Sequence, residues 1–340
     1  MRDVVIARTD LLGELVLTLS MARRLREAVD GARVTMIVAP GMEALARLCP
    51  DVTAVMAHPP ECDGGWQWRS LALGAELRSR GHEAMIVVNP TKALHVAAWW
   101  SRIPVRIGGP GKGGRWLLTQ TTARTSEPET RHEVNRCAAL LEPLGIRGAM
   151  PAARLRPEPW MPGLWERLAA AGMDPQKPIA ALHPWASKAF KRWPIERFIA
   201  VGQRLEEQGA RIIVIGGPEH RAEAERARLP FTDWTGRTSL TELAALLAAC
   251  RMLVSNDTGP SHVAAAVGAP VVALFGTDNP AASPLRWGPC GSQHAVIWKP
   301  SMELIPAQDV LAAARRILQM GERVLTAGSL PPPYQAAGDA

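Results

Sequence analysis

Short apolar runs alternate along this chain with longer stretches in which apolar side chains recur every three or four positions. Val4 to Ala7, Val34 to Val38, Val52 to Met56, Ala84 to Val88 and Val105 to Ile107 read as buried strands. The segments between them, such as the one carrying Leu15, Leu19, Ala22 and Leu25, read as helices. The pattern breaks where Pro157, Pro159, Pro162 and Pro175 crowd around a short helical piece near Leu164 to Ala171, then resumes. Strands are expected at Ile179 to Leu182, Ile212 to Ile215, Phe231 to Trp234, Met252 to Ser255, Val271 to Phe275 and Ala295 to Trp298. Helices are expected from Ile195 to Glu207 and from Ala307 to Met320, the latter with Val310, Leu311, Ala314, Ile317 and Leu318 on one face. Such alternation predicts an α/β protein of two doubly wound, Rossmann-like domains facing a central cleft. The expected boundaries are 1–155, a linker over 156–177, a second domain over 178–327, and a disordered tail over 328–340 containing Pro331-Pro332-Pro333.

Composition narrows the class of function. The chain has 340 residues, 47% of them hydrophobic, enough for more than one core. The net charge of +7 suits an anionic substrate or membrane surface, without the dense basic runs and interleaved aromatics of a nucleic-acid binder. Five cysteines, Cys49, Cys62, Cys137, Cys250 and Cys290, are scattered without metal or disulfide spacing, as expected of free thiols in a reducing cytoplasm. The start, MRDVVIARTD, lacks the length and flanks of a signal peptide, and no apolar run is long enough to span a bilayer. No acidic residue lies between Glu83 and Glu127, whereas Lys92, Arg102, Arg106, Lys112, Arg115 and Arg124 do. That stretch reads either as a contact for an anionic acceptor or phospholipid headgroups, Lys112 and Arg115 included, or as a solvated face over Trp99, Trp100 and Trp116. Gly109 to Gly114 formally fits GxGxxG, but no helix start follows and the sequence reads as a loop.

The richest stretch is Met252 to Pro280. An apolar strand leads into Asn256-Asp257-Thr258-Gly259-Pro260, a helix is expected to start near Ser261, and Gly268-Ala269-Pro270 stops it before the next strand. The mouth of such a helix offers unpaired N–H groups and the positive end of its dipole, and Gly259 leaves room for a phosphate oxygen. Thr258, Ser261 and His262 add side-chain donors there. Asp257 would repel a phosphate, so it is expected to face a sugar hydroxyl or a cation. The plainer reading is that Asp257 and Thr258 cap the helix.

The run D-T-G-P-S-H-x-A-A-A-x-G-x-P-x-x-x-L-F-G resembles the C-terminal signature of glycosyltransferase family 9, the ADP-heptose:lipopolysaccharide heptosyltransferases. His183-Pro184-Trp185-Ala186-Ser187 through Lys191, Trp193 and Pro194 is similar to that family's H-P-G-A-S-x-x-x-K-x-W-P run, with Trp185 in place of a small residue. Gly216-Gly217-Pro218-Glu219 resembles its G-G-P-E turn, and Arg8, Asp10, Gly13 and Glu14 occupy its R-x-D-x-x-G-D positions, with glutamate for the final aspartate.

The resemblance implies a GT-B architecture and an inverting, metal-independent transfer of heptose from ADP-heptose to an inner-core sugar of lipopolysaccharide. The enzyme would work in the cytoplasm, with peripheral contact at the inner membrane. It implies that Ser187, Lys191, Glu219, Asp257, Thr258, Gly259 and His262 bind the donor, Lys191 at its pyrophosphate or neighbouring sugar oxygens and Glu219 at its ribose. Glu219 alone reads equally as a helix-start carboxylate. The acceptor hydroxyl needs a base, Glu14 or, one turn away, Asp10, though either also fits a helix start without catalytic role. No cofactor or DxD metal motif is expected. Another nucleotide sugar or a non-lipid acceptor, a sugar-nucleotide epimerase, and a binding protein without catalysis stand as alternatives.

Overall fold

The computed structural model describes residues 1–59, 65–109, 114–122, 131–174 and 177–320. The chain divides into two compact units, one over Met1–Arg154 and the other over Leu155–Pro332. The expected tail, 328–340, lies outside the described residues.

In the first unit, β1 (Asp3–Arg8), β2 (Arg33–Val38), β3 (Ala54–Ala57), β4 (Ala84–Val87), β5 (Val105–Gly108) and β6 (Gln120–Thr121) form a sheet in the order β3-β2-β1-β4-β5-β6. Every neighbouring pair is parallel. In the second unit, β7 (Ile179–His183), β8 (Arg211–Val214), β9 (Thr232–Asp233), β10 (Met252–Asn256), β11 (Val271–Gly276) and β12 (Ala295–Lys299) are ordered β12-β11-β10-β7-β8-β9, again all parallel. The two orders are the same topology: each sheet reverses direction between its first and fourth strands, β1 and β4 or β7 and β10. At such a reversal the loops leaving the two strands diverge and open a crevice at their carboxyl ends.

The expected strands therefore all form, with ends shifted by a residue or two. β6 was not expected, because two polar residues on a sheet edge make no apolar run. The strand expected at Phe231 to Trp234 shrinks to Thr232–Asp233 on the opposite edge of the other sheet.

Parallel strands must be covered on both faces, and the helices do this. On one face of the second sheet, Phe198, Val201 and Leu205 of helix Ile195–Glu206 meet Val310, Ala314 and Ile317 of helix Ala307–Met320 over Leu182, Val254 and Val272. Each large side chain buried this way contributes about 1.5–3 kcal/mol. In the first sheet, helices Trp66–Arg80 and Lys92–Trp100 pack on Val5, Met85 and Val87. They approach so closely that a Cβ on Gly74 would lie 2.7 Å from the Ala97 carbonyl and 2.9 Å from Trp100 Cβ.

The proline-crowded stretch expected as a linker, 156–177, falls within the second unit. Leu155 N–H donates to the Ala266 carbonyl at 2.9 Å, and helix Met161–Ala170 buries Leu164 and Leu168 beside helix Leu240–Ala249. Pro175 lies outside the described residues.

One glycine gives a sharp test of the packing. At the end of β11, a Cβ on Gly276 would overlap the backbone nitrogen of Met302. Gly276→Ala is expected to lower stability by about 2 kcal/mol, read as a fall in urea midpoint with unchanged slope. An unchanged midpoint would contradict this packing.

Candidate active site

In the second unit the crevice is built by β7 and β10. Strand β10 ends at Asn256, fully buried. Its side-chain oxygen accepts from Trp193 N–H at 3.1 Å and its amide nitrogen donates to the Pro184 carbonyl at 2.8 Å. One amide thus pins both ends of the loop that leaves β7. Arg192 braces the same loop, donating to the Ala186 carbonyl at 2.7 Å and pairing with Glu223 at 2.9 Å. Trp193 closes it from below, with Nε1 on the Ile305 carbonyl at 3.0 Å and its ring edge-on to Phe198.

Held this way, Lys191 forms an ion pair with Asp257. Asp257 is therefore the residue that faces a cation, one of the two environments expected for it. Burial pushes its carboxyl above the usual aspartate range, and the nearby Lys191 and Lys188 only partly offset that. Helix Gly259–Ala266 starts two residues before Ser261, with Thr258 as N-cap in extended conformation and no side-chain cap bond. The plain capping role thus does not describe Thr258.

Its hydroxyl instead lies 3.1 Å from His183 Nδ1, 3.2 Å from Ser255 Oγ and 3.2 Å from the Asn256 carbonyl. Ser261, expected as a donor at the helix mouth, turns inward to the Asn256 carbonyl at 3.2 Å. Burial, followed by the field of His220, pushes His183 down to about 3, so its ring is neutral near pH 7. His262 is buried on the first turn of the helix, and Ser187 is exposed on the loop.

Glu219 stands apart, exposed on the turn Pro218–His220 after β8, 3.5 Å from His220 Nδ1. Beside it Trp185 is buried and stacked on His220, with ring centroids 6.0 Å apart. A Cβ on Gly216 would come within 2.6 Å of the Trp185 ring. Trp185 therefore occupies the space next to this turn.

The first unit has its own crevice. Asn89, just beyond β4, accepts from Thr9 N–H at 3.1 Å and donates to Thr9 Oγ1 at 3.2 Å, holding the loop that leaves β1. Arg8, the buried last residue of β1, pairs through Nε with Asp10 at 2.7 Å and through Nη1 with Glu133 at 3.0 Å. Glu14 lies half-buried in the first turn of helix Leu12–Ala28. Burial raises its carboxyl above the ordinary glutamate range, Asp10 and Glu133 add to this, and Arg8 opposes it.

Arg115 is exposed at the start of the turn Arg115–Leu117, lining an open groove of about 370 Å³ with Trp116, Leu118, Thr119, Gln120 and Thr121. Lys112 lies outside the described residues. A smaller cavity of about 220 Å³, lined by Arg24, Arg131, Asn135, Glu142 and Arg147 among others, is about 15 Å along helix Leu12–Ala28 from Glu14. Among the described residues no group of three or more His, Cys, Asp or Glu side chains is placed to hold a metal ion.

Two sets of expected residues are therefore brought together, Lys191 with Asp257 and Thr258, and Asp10 with Glu14. Asn256, Asn89 and Glu133 were missed. The asparagines read as turn residues, and nothing in the spacing of Glu133 points to Arg8.

Comparison with known proteins gives a consistent result. Glycosyltransferase family 9 (heptosyltransferase) matches residues 70–312. A lipopolysaccharide heptosyltransferase 3 from Escherichia coli (strain K12) is 25% identical over 339 residues, covering 90% of this chain and 95% of that protein. Among solved structures, a glycosyl transferase family 9 protein from Veillonella parvula DSM 2008 has TM-score 0.84 at 21% identity, over 94% of this chain and 97% of that one. The E. coli ADP-heptose lps heptosyltransferase II has TM-score 0.80 at 22% identity, over 95% and 100%. The two structures establish the shared GT-B fold.

The Asn256 clamp is directly testable. Asn256→Ala leaves the Trp193 N–H and the Pro184 carbonyl without their partner in a buried site, at about 1–3 kcal/mol each. A stability loss of at least 2 kcal/mol by chemical denaturation is expected. A loss below about 0.5 kcal/mol would show that the loop is held by other means.

Proposed function

Because the chain belongs to glycosyltransferase family 9, we propose that it transfers a heptose from ADP-heptose to a sugar of the lipopolysaccharide inner core, with inversion at the anomeric carbon and without a metal ion. The observation that carries this reading is the Lys191–Asp257 pair beside the mouth of helix Gly259–Ala266, at the strand reversal of the second unit.

The difficult part of the reaction is departure of the nucleoside diphosphate, which gains negative charge as the glycosidic bond breaks. Lys191 is a cation held by a pinned loop, so its position costs little reorganisation when that charge develops. A donor pyrophosphate would compete with Asp257 for the Lys191 ammonium. That would free the Asp257 carboxylate to accept from a sugar hydroxyl. The helix mouth at Gly259, together with His262 and the exposed Ser187, offers further donors. Thr258 would act through the backbone it shapes, since its hydroxyl is engaged with His183, Ser255 and Asn256. Glu219 would meet the ribose.

On the acceptor side, Glu14 is the better base of the two carboxylates. Asp10 spends an oxygen on the buried Arg8, whereas burial raises the affinity of Glu14 for a proton. A base must be ionised, so the rate should rise with pH through the raised Glu14 midpoint, on an acid limb above the ordinary glutamate range. Direct attack by the activated hydroxyl, with no enzyme-bound sugar intermediate, is the basis for inversion.

Arg115 and Lys112 would contact the anionic acceptor, and the basic stretch around them would favour peripheral contact at the cytoplasmic face of the membrane. Among the described residues no helix is long and apolar enough to cross it. A related transferase using another nucleotide sugar is the second reading, favoured by the bulk of Trp185 beside the Glu219 turn.

Lys191→Ala and His262→Ala are each expected to weaken ADP binding about tenfold or more by calorimetry. Glu14→Gln is expected to slow heptose transfer by about 10²–10⁴ while leaving ADP affinity within twofold. Unchanged ADP affinity in both of the first two variants would remove this account of the donor site. In a transfer assay resolved by anomeric configuration, a retained configuration would remove the direct attack.

A further inference from the structure

Arg8 is a buried cation with two carboxylate partners of different kinds. Asp10 follows it by two residues and is a third exposed, whereas Glu133 is 125 residues away and nearly as buried as Arg8 itself. Glu133 is the first residue of helix Glu133–Ala139, whose N-cap His132 accepts from Val134 N–H at 3.3 Å. That helix packs on Leu12–Ala28, the helix that carries Glu14, with Thr18 Oγ1 and Cys137 Sγ 3.9 Å apart between them. Glu133 therefore reaches Nη1 of Arg8 from a separate helix, while Asp10 holds the Nε edge of the same guanidinium.

We propose that Glu133 is a positioning residue for the acceptor-side carboxylates: as the buried counter-ion of Arg8 it fixes the guanidinium and limits how strongly that cation draws on Asp10 and Glu14. This rests on Glu14 being the base of the reaction proposed above. Without a counter-ion the buried Arg8 guanidinium, whose field opposes the raised affinity of Glu14 for a proton, would hold that carboxylate ionised and make it a poor proton acceptor. With Glu133 in place the charge of Arg8 is shared, and Glu14 keeps the basicity that its half-buried position confers.

The other groups around Glu14 do not supply this balance. Arg136 lies 3.5 Å from Glu133 but is half exposed. Burial pushes the Cys137 thiol up to about 12, so it stays neutral. Strand β2, packed on the same helix, carries the charged residue Arg33, paired with Asp3 at the far end of β1. The short helix Glu43–Ala46 brings Glu43, half-buried.

The test compares the wild-type protein with Glu133→Gln, which keeps the shape and removes the charge. Titration of the Glu14 carboxyl by carbon NMR in the substrate-free protein, its signal identified with Glu14→Gln, is expected to move to lower pH by about one unit in Glu133→Gln. The acid limb of kcat/KM for heptose transfer is expected to move with it, and kcat to fall. A folded Glu133→Gln protein whose Glu14 titrates at its wild-type midpoint overturns the proposal, since a purely structural Glu133 would alter stability without moving that midpoint.

Should Glu133→Gln not fold, the double variant Arg8→Gln, Glu133→Gln removes one buried charge of each sign and carries the test. A Glu14 midpoint at or above wild type supports the proposal, and one below it overturns it. The carboxyl titration needs no substrate. A wild-type protein that transfers no heptose would therefore refute the transfer reaction, while the titration still decides the role of Glu133.

Discussion

A single buried amide organises the carboxyl end of the sheet in the second unit. Asn256 has no exposure and spends its oxygen on Trp193 N–H and its nitrogen on the Pro184 carbonyl, so the loop carrying Ser187 and Lys191 is tied at both ends to the strand that precedes Asp257 and Thr258. No apolar side chain can make both bonds, and an aspartate lacks the donor. The first unit uses the same device in a looser form: Asn89, beyond its fourth strand, holds the loop that follows its first strand through Thr9. In each sheet the clamp sits at the strand reversal, where the topology opens a crevice that backbone pairing does not fill.

The electrostatics follow from that rigidity. Lys191 and Asp257 form a pair in which the carboxylate is almost wholly buried. Such a pair is weak evidence for stability, because desolvation cancels much of the attraction. Its more informative property is that the cation and the carboxylate are both preset and can each find a new partner. The neutral His183 beside Thr258 adds no competing charge to the site. In the first unit the same physics runs with opposite sign: one buried cation, Arg8, is paired with Asp10 and Glu133, and its field reaches Glu14.

Much of the fold was legible because buried parallel strands are written as continuous apolar runs, which is why β1, β2, β10 and β11 stand out. The two polar residues of β6 leave no such trace. The strand, turn and helix over 252–266 were legible, yet the pairing of Lys191 with Asp257 was not: the two are 66 residues apart, and only the strand order brings them together. The inward turn of Ser261 and the engaged hydroxyl of Thr258 depend on side-chain rotamers that no spacing encodes. The pairing of Glu133 with Arg8 depends on helix Glu133–Ala139 packing against helix Leu12–Ala28. The stretch around Pro157 to Pro162 looked like a linker because proline disfavours regular structure, but Leu155, Leu164 and Leu168 anchor it to the second unit.

The central claim, a donor site for ADP-heptose built on Lys191 and the helix mouth of the second unit, is tested most directly by calorimetric titration of the purified protein with ADP, UDP, GDP and NAD, in chelator and again in magnesium. The account predicts that ADP binds most tightly and that chelation changes its affinity less than threefold. Preference for UDP or GDP would contradict the donor, a strict need for magnesium would contradict the metal-free site, and binding of NAD alone would contradict the transferase reading itself.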